Sequence, residues 1–403
     1  MKKSKIKLIA LTLLLTTTLG IFSACSGDDR KPLQSSSKST VSSASKADDK
    51  SKGSDDKSSD EKSGSDTSKT DESKDESKEE SKKEPVSDVT DDKEKGPIPD
   101  LPKSDGEAQT VEGILVYNRM AFEKFYGYDS MAEDYGKTMS KLADYLGSDI
   151  KIYNVLVPTH CGISLPDSIM EDEGLPNQND YINKIIDSYS TNDSNKIIGV
   201  NTYDTLMHHR DEYIYLNTDH HWSGLGAYYA YKDFCKAAGV DYVKLSELEK
   251  GQIEGYYGSL TNYIPESLVD PDTVEYYKTD KDITTTLYDN DGTGGTSTNI
   301  IHSYADSSFA YGVFLGGDNG LMVSKNKDGN GKKIAVVKES YGNAFCPYIA
   351  YTYGETHMID FRYITFDFKK YLEDNDIHEV IFINNNMATA TPARCEDLEN
   401  LIK

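Results

Sequence analysis

Apolar positions are distributed along the chain in three regimes. Leu8 to Phe22 is one unbroken apolar-rich run, residues 26 to 106 hold almost no apolar residue, and from Glu107 onward apolar and polar positions alternate with definite periods. Within the third regime Ile114 to Tyr117 predicts a short strand. Met131, Tyr135, Met139, Leu142 and Leu146, spaced by three and four, predict a helix over Tyr128 to Leu146 with one buried face. Ile150 to Val157 is near-continuously apolar and β-branched, the pattern of a strand covered on both faces. A helix over Asn179 to Ser190, a strand over Lys196 to Val200, a turn or helix over Asn201 to His208 and an extended run over Glu212 to Leu216 follow. Ser223 is placed as an N-cap for a helix carrying Leu225, Tyr228, Tyr229, Tyr231 and Phe234, which Gly239 stops. Periodicity loosens from Tyr242 to Tyr311, read as short β-segments and loops inserted into the core. It returns as strands at Tyr311 to Leu315, Lys332 to Val337, Met358 to Arg362 and Glu379 to Ile383, with a helix near Phe368 to Asp374.

Strands alternating with helices over this length predict an α/β domain with a mostly parallel sheet. Such sheets gather functional groups at the carboxyl ends of their strands. His221, Gly317, Ser340, Arg362 and Asn384 all fall just past predicted strand ends.

The first two regimes set the domain plan. Lys2, Lys3, Lys5 and Lys7 before the apolar run, and Ser23-Ala24-Cys25 after it, have the parts of a secretory signal over residues 1–24. The cysteine directly after two small residues resembles a bacterial lipobox, which implies lipidation of Cys25 and an extracellular, membrane-anchored protein, with plain secretion as the alternative. Residues 25–106, built from Ser, Lys, Asp and Glu without an aromatic side chain, cannot bury enough apolar surface to offset chain entropy and are expected to form a disordered tether. Residues 107–403 carry all 29 tyrosines and form the folded domain.

Charge narrows the partners. The full chain is at −24, and most of that excess lies beyond residue 106. A surface of that sign repels nucleic acid, whose binding depends on Lys and Arg neutralising phosphates, and disfavours a strongly anionic polymer. Besides Cys25 there are Cys161, Cys235, Cys346 and Cys395. Their spacing fixes no pairing, so they are read as buried free thiols with a disulfide left open. Neither they nor His208, His209, His220 and His221 show metal-ligand spacing, and no metal or other cofactor is expected.

Chemistry concentrates in Thr218-Asp219-His220-His221-Trp222-Ser223 and Lys338-Glu339-Ser340-Tyr341-Gly342-Asn343. A serine hydroxyl becomes a nucleophile when a base takes its proton, and a carboxylate orients and charge-stabilises that base. Ser340, His221 and Asp219 supply the three groups. Gly342 would let backbone amides approach an oxyanion, and Asn343 would add a side-chain donor. Arg362 pairs with a carboxylate or orients an acyl or sugar group, and Tyr341 is a candidate for lining a sugar cleft. His220 and Trp222 are read as structural.

These two motifs, with Gly226-Ala227-Tyr228 and Asp360-Phe361-Arg362-Tyr363, resemble the bacterial DHHW protein family, itself similar to periplasmic alginate O-acetyltransferases with SGNH-hydrolase-like domains. The resemblance covers roughly Glu112 to Ile383. It implies an SGNH-like three-layer α/β/α domain in which Asp219 is the acid, His221 the base and Ser340 the acyl-accepting nucleophile. It also implies a cell-envelope or secreted polysaccharide as acceptor and a membrane-bound O-acyltransferase as acetyl donor. The expected activity is therefore carbohydrate O-acetyl transfer, with acetylesterase or non-catalytic glycan binding or envelope assembly as alternatives. This sequence departs from the pattern where Lys338-Glu339 replaces the Gly-Asp before the serine. Gly317 and Asn343 are the assigned oxyanion donors.

Overall fold

Five β-branched runs build the centre of the molecule, and the computed structural model describes it over residues 93–94, 96–101, 106–189 and 197–402. The expected signal, Cys25 and most of the expected tether lie outside the described residues. Thirteen strands occur among those described. Three form an antiparallel meander, β1 (Gln109–Val111), β2 (Ile114–Tyr117) and β3 (Met120–Phe122). The main sheet holds β4 (Lys151–Val157), β5 (Ile197–Asn201), β8 (Ile283–Tyr288), β9 (Thr296–Thr298), β10 (Leu321–Asn326), β11 (Lys333–Lys338), β12 (Glu355–Asp360) and β13 (Glu379–Asn385). Its order is β5-β4-β13-β11-β12-β10-β8-β9. The first five strands are parallel, and β10, β8 and β9 extend one edge antiparallel. A separate hairpin pairs β6 (Glu249–Tyr256) with β7 (Asp272–Lys278).

Alternation along the central strands splits the core into two apolar layers, one on each face. Tyr153, Val155, Val336, Met358 and Ile381 point to one face; Ile152, Leu156, Val337, Ile359 and Val380 point to the other. The four helices of ten residues or more among the described residues cover these faces. α1 (Asp129–Leu146) and α2 (Gln178–Asp187) pack on the second, α3 (Gly224–Ala238) and α4 (Tyr341–Thr352) on the first. The result is the three-layer α/β/α arrangement expected from the sequence. α3 begins where Ser223 Oγ accepts the Gly226 N–H at 3.2 Å and ends at Gly239 with φ +67°.

The structure departs from the sequence reading in four places. Tyr311 to Leu315 is no strand: Ser307–Val313 coils as a 3-10 segment. Glu212 to Leu216 joins no sheet and makes one isolated bridge, Tyr215 to Trp222. α4 carries no amphipathic signal because all twelve of its residues are buried, so it has no polar face to mark a period. The expected domain start at residue 107 is too late. Lys93 binds Asp211 and Glu212 at 2.6 Å each, and Glu94 receives Lys232 at 3.1 Å, so part of the expected tether is strapped to the domain.

Candidate active site

The Asp-His motif is shaped by a tight reversal between Tyr215 and Trp222. Leu216 N–H donates to His221 O at 3.2 Å, and the buried Asp272 carboxylate on β7 accepts the Asn217 N–H at 2.5 Å and the Thr218 N–H at 2.9 Å. The Thr218 hydroxyl and Tyr213 also donate to it. The β6–β7 hairpin, read from sequence only as an insertion, thus fixes the turn that carries the histidine. Gly258 allows its loop to close on that turn, since a Cβ there would lie 2.4 Å from Asp219 Cβ.

Ser340 reaches the same place from β11. Lys338 ends that strand in the middle of the sheet, and Ser340 stands immediately before α4. His221 Nε2 lies 2.7 Å from Ser340 Oγ, and His221 Nδ1 lies 2.5 Å from Asp219 Oδ1. The network assigns the proton to Nδ1, leaving Nε2 to accept from the serine. Asp219 Oδ1 also accepts the His221 N–H at 3.0 Å, while Oδ2 accepts Tyr256 O–H at 2.7 Å and Ser259 N–H at 2.9 Å. Burial alone would raise this carboxyl. The His221 and His220 imidazoles and these hydrogen bonds outweigh burial and hold it well below the usual carboxylate range. The Tyr311 ring stacks on His221 with centroids 4.0 Å apart, and its hydroxyl donates to Ser340 O at 3.2 Å. Burial, then the Asp219 charge, pushes the Tyr311 phenol upward and keeps it neutral.

His220 turns its Nδ1 to Ser259 Oγ at 2.7 Å. Trp222 is fully buried and donates Nε1–H to Tyr341 O at 2.9 Å. Tyr341 is itself buried, and its hydroxyl donates to His220 O at 2.5 Å. The Trp222 and Tyr341 side chains tie the His turn to the serine turn, while His220 ties it to the Ser259 loop. Asp219, His220 and His221 are also the one group of His, Cys and carboxylate side chains among the described residues close enough to hold a metal ion. Both His221 nitrogens are already engaged, by Asp219 and Ser340.

The other residues singled out from the sequence are committed elsewhere. Gly342 N–H donates to Glu339 O at 3.0 Å, and a Cβ on Gly342 would fall 2.5 Å from Lys338 Cβ, so this glycine serves close packing. Asn343 N–H donates to Ser340 O at 3.1 Å, and its Nδ2 to Asp318 at 2.9 Å. Gly317, at φ +105°, donates to Phe314 O and lies before β10 rather than past a strand end. Asn384 lies inside β13, where its side chain accepts the Tyr135 O–H. Arg362 is ion-paired with Asp360 at 2.6 Å and Asp318 at 2.8 Å. Lys338 joins the same network through Asp360 at 3.2 Å, almost wholly out of solvent. Burial would lower both cations, but the two aspartates hold them raised; Arg362 and Lys338 in turn bring Asp318 down to about 2 against its burial.

Sequence reasoning missed Glu339 as more than a departure from a motif. Its buried carboxylate stands 3.2 Å from Ser340 Oγ, whose proton is turned to His221, and accepts Tyr341 N–H at 3.0 Å and, on its other oxygen, the N–H and Nδ2–H of Asn385 at 3.2 Å each. It therefore clamps the serine turn to the end of β13. Tyr256 and Asp272 were equally hidden, each lying in a stretch without period, and Tyr311 was read as the start of a strand.

Comparison with known proteins bears on this geometry. The DHHW protein family matches residues 55–359, which includes Asp219, His221 and Ser340. A DHHW family protein from Eubacterium siraeum superposes with a TM-score of 0.66 at 29% identity, covering 73% of this chain and 97% of that one. Bacillus cereus PatB1 with a sulfonyl adduct superposes at 0.57 with 17% identity, covering 71% and 97%. PatB1 without it gives 0.55 at 18% identity, covering 69% and 97%. No curated protein matches the sequence.

Proposed function

Because the chain belongs to the DHHW protein family, we propose that it is an extracellular carbohydrate O-acyltransferase, anchored through Cys25, that moves an acetyl group through an acyl-enzyme on Ser340. The observation that carries this reading is the unbroken line Ser340 Oγ, His221 Nε2, His221 Nδ1, Asp219 at 2.7 and 2.5 Å. Ser340 Oγ attacks the acetyl carbonyl carbon of a donor ester while its proton passes to His221 Nε2, and Asp219 stabilises the imidazolium. His221 returns that proton to the leaving alkoxide. A sugar hydroxyl then attacks the acetyl-serine, gives its proton to His221 Nε2 and leaves as the ester, and Ser340 recovers the proton. Three of the four amides of residues 340–343 are committed, to Glu339 and to Ser340 O, which leaves the Ser340 N–H at the start of α4 to meet the oxyanion. The acetyl donor is an ester supplied by a membrane-bound acyltransferase, and the acceptor is a cell-envelope or secreted glycan.

Incubation of the full chain with p-nitrophenyl acetate tests this directly. A burst of nitrophenol with one acetyl mass on Ser340 is expected, and addition of the acceptor glycan should move that mass to sugar. A folded protein that gives neither burst nor mass refutes the acyl-enzyme; acetate released with no acetylated sugar makes it an esterase.

A further inference from the structure

β10 and β12 pair so that one face carries Leu321, Val323 and Lys325 opposite Ile359, His357 and Glu355. The other face of these strands lies under α4. On this face the helix Phe368–Asp374 and the turn around Gly292 stand on either side and leave a cleft of about 300 Å³ between them. Its floor is Leu321 and Val323, and its walls include Tyr288, Tyr371, Lys325, Glu355, His357 and Asn375.

The polar wall is a preformed hydrogen-bonded chain. Tyr371 O–H lies 2.7 Å from His357 Nδ1, His357 Nε2 lies 2.9 Å from Glu355 Oε1, and Glu355 Oε2 lies 3.4 Å from Lys325 Nζ. Burial keeps His357 neutral, pushing its pKa down to about 4, so the ring has one N–H. Glu355 cannot donate, which assigns that N–H to Nε2 and makes Nδ1 the acceptor of the Tyr371 proton. The Tyr371 oxygen therefore keeps its lone pairs free toward the cleft. Glu355 and Lys325 cancel in charge. Aromatic rings, one acceptor, one donor and an amide around an electrically balanced apolar floor suit a ring with hydroxyls on its edge and C–H groups on its face. The volume falls at the lower end of ordinary ligand sites, about 300–1,000 Å³.

One end of the cleft lies toward the serine end of the sheet. The cleft runs four residues along β10, from Lys325 to Leu321, roughly 13 Å at strand rise. Leu321 pairs with Ile359, and the next residue, Asp360, stands level with Lys338 at the serine end of the sheet. Asn290 O accepts the Thr365 N–H at 2.9 Å, joining the cleft rim to the segment that holds Arg362 and the half-exposed Tyr363.

We propose that this cleft is a subsite for an uncharged oligosaccharide, holding a glycan against Tyr288 and Tyr371 while a neighbouring sugar of the same chain lies near Ser340. Naming that glycan as the acyl acceptor rests on the reading above; the binding does not. The test is calorimetric titration of the full chain carrying Ser340→Ala with tetramers of N-acetylglucosamine, of glucose and of galacturonate. Saturable binding of an uncharged tetramer is expected, weakened about tenfold by Tyr288→Ala as for an aromatic anchor. Lys325→Ala should weaken it about threefold, as for one hydrogen bond, and since that side chain is 64% exposed the substitution leaves folding intact. Failure of every uncharged tetramer to saturate, binding indifferent to both substitutions, or tighter binding of galacturonate would each overturn the proposal. With Ser340 restored, acetyl mass from p-nitrophenyl acetate without glycan binding removes the cleft and keeps the acyl-enzyme; glycan binding without acetyl mass does the reverse.

Discussion

Asp219→Asn removes one charge and almost no volume, so it isolates what the carboxylate does. Asp219 Oδ1 accepts from His221 Nδ1 at 2.5 Å, and Oδ2 accepts from Tyr256 and Ser259. Each carboxylate oxygen faces a fixed backbone donor, His221 N–H at Oδ1 and Ser259 N–H at Oδ2, so an asparagine must turn its NH2 against one of them. With the NH2 at Oδ1 it also meets His221 Nδ1. That orientation demands a proton on Nε2, the nitrogen that must receive the serine proton. Two losses combine. An imidazolium and a carboxylate with charge centres about 4 Å apart attract by about 4 kcal/mol at an effective dielectric of 20, worth roughly three decades in rate. The wrong tautomer adds to this, bringing the expected loss to on the order of 10⁴, the scale seen when the carboxylate of a serine triad becomes an amide. The assay is single-turnover acetylation of Ser340 by p-nitrophenyl acetate, followed by nitrophenol release and by mass. Urea denaturation run alongside should show a smaller effect, about 1–3 kcal/mol for a disturbed buried hydrogen-bond pair. A rate loss under about tenfold in a stably folded variant would refute the assignment of His221 as a base oriented by Asp219.

Three further outcomes follow from the geometry. Tyr256→Phe deletes one of the donors to Asp219 Oδ2 and should slow acetylation of Ser340 by about tenfold while costing about 1 kcal/mol in urea denaturation; a rate equal to wild type would show that the Ser259 and His221 amides suffice to hold the carboxylate. Asp360→Ala strands Lys338 and Arg362 without their shared partner, so destabilisation of about 3–5 kcal/mol is expected, with a clear drop in the thermal midpoint. The strap at Lys93 and Glu94 should respond to pH. His209 is pushed down by burial but raised overall by Glu212 and Glu94, while Glu212, raised by burial, is brought to about 2 by His209 and Lys93. The raised histidine contributes stability that is full below its unfolded pKa of about 6.5 and lost as pH rises through its folded value; the depressed glutamate contributes stability present above about 4.5 and lost as pH falls toward 2. Protection factors over residues 93–101, with the intrinsic pH dependence of amide exchange divided out, should thus be highest between about pH 4.5 and 6.5 and fall above, and His209→Gln should flatten the alkaline side.

Some of the architecture was legible because it rests on local periods. The strand Lys151–Val157, the helices α1, α2 and α3 and the cap at Ser223 lie within a residue or two of their predicted limits, apart from the end of α2, because each has one apolar stripe or an unbroken β-branched run bounded by a capping or breaking residue. α4 was invisible for the opposite reason: buried all round, it has no stripe, and the Pro347 within it argues locally against a helix. Tyr311 to Leu315 has strand-like composition, yet its tyrosine is drawn onto the His221 ring and the backbone coils to bring it there.

The chain by itself determined the chemistry on offer: an Asp two residues from a His, a serine past a buried strand, an acidic surface and an α/β alternation. Those are local facts, set by residue type and spacing. Only the tertiary structure decided which groups meet. Ser340 and His221 are 119 residues apart and touch because β11 ends at the sheet's centre while the Asp272-pinned turn crosses over it. The same folding commits Gly342, Asn343, Gly317 and Arg362 to carbonyls and carboxylates that no spacing rule could identify, and makes Glu339 a clamp to β13. A hydrogen bond depends on where two elements lie and how they are turned, and that is fixed by packing across the whole sheet.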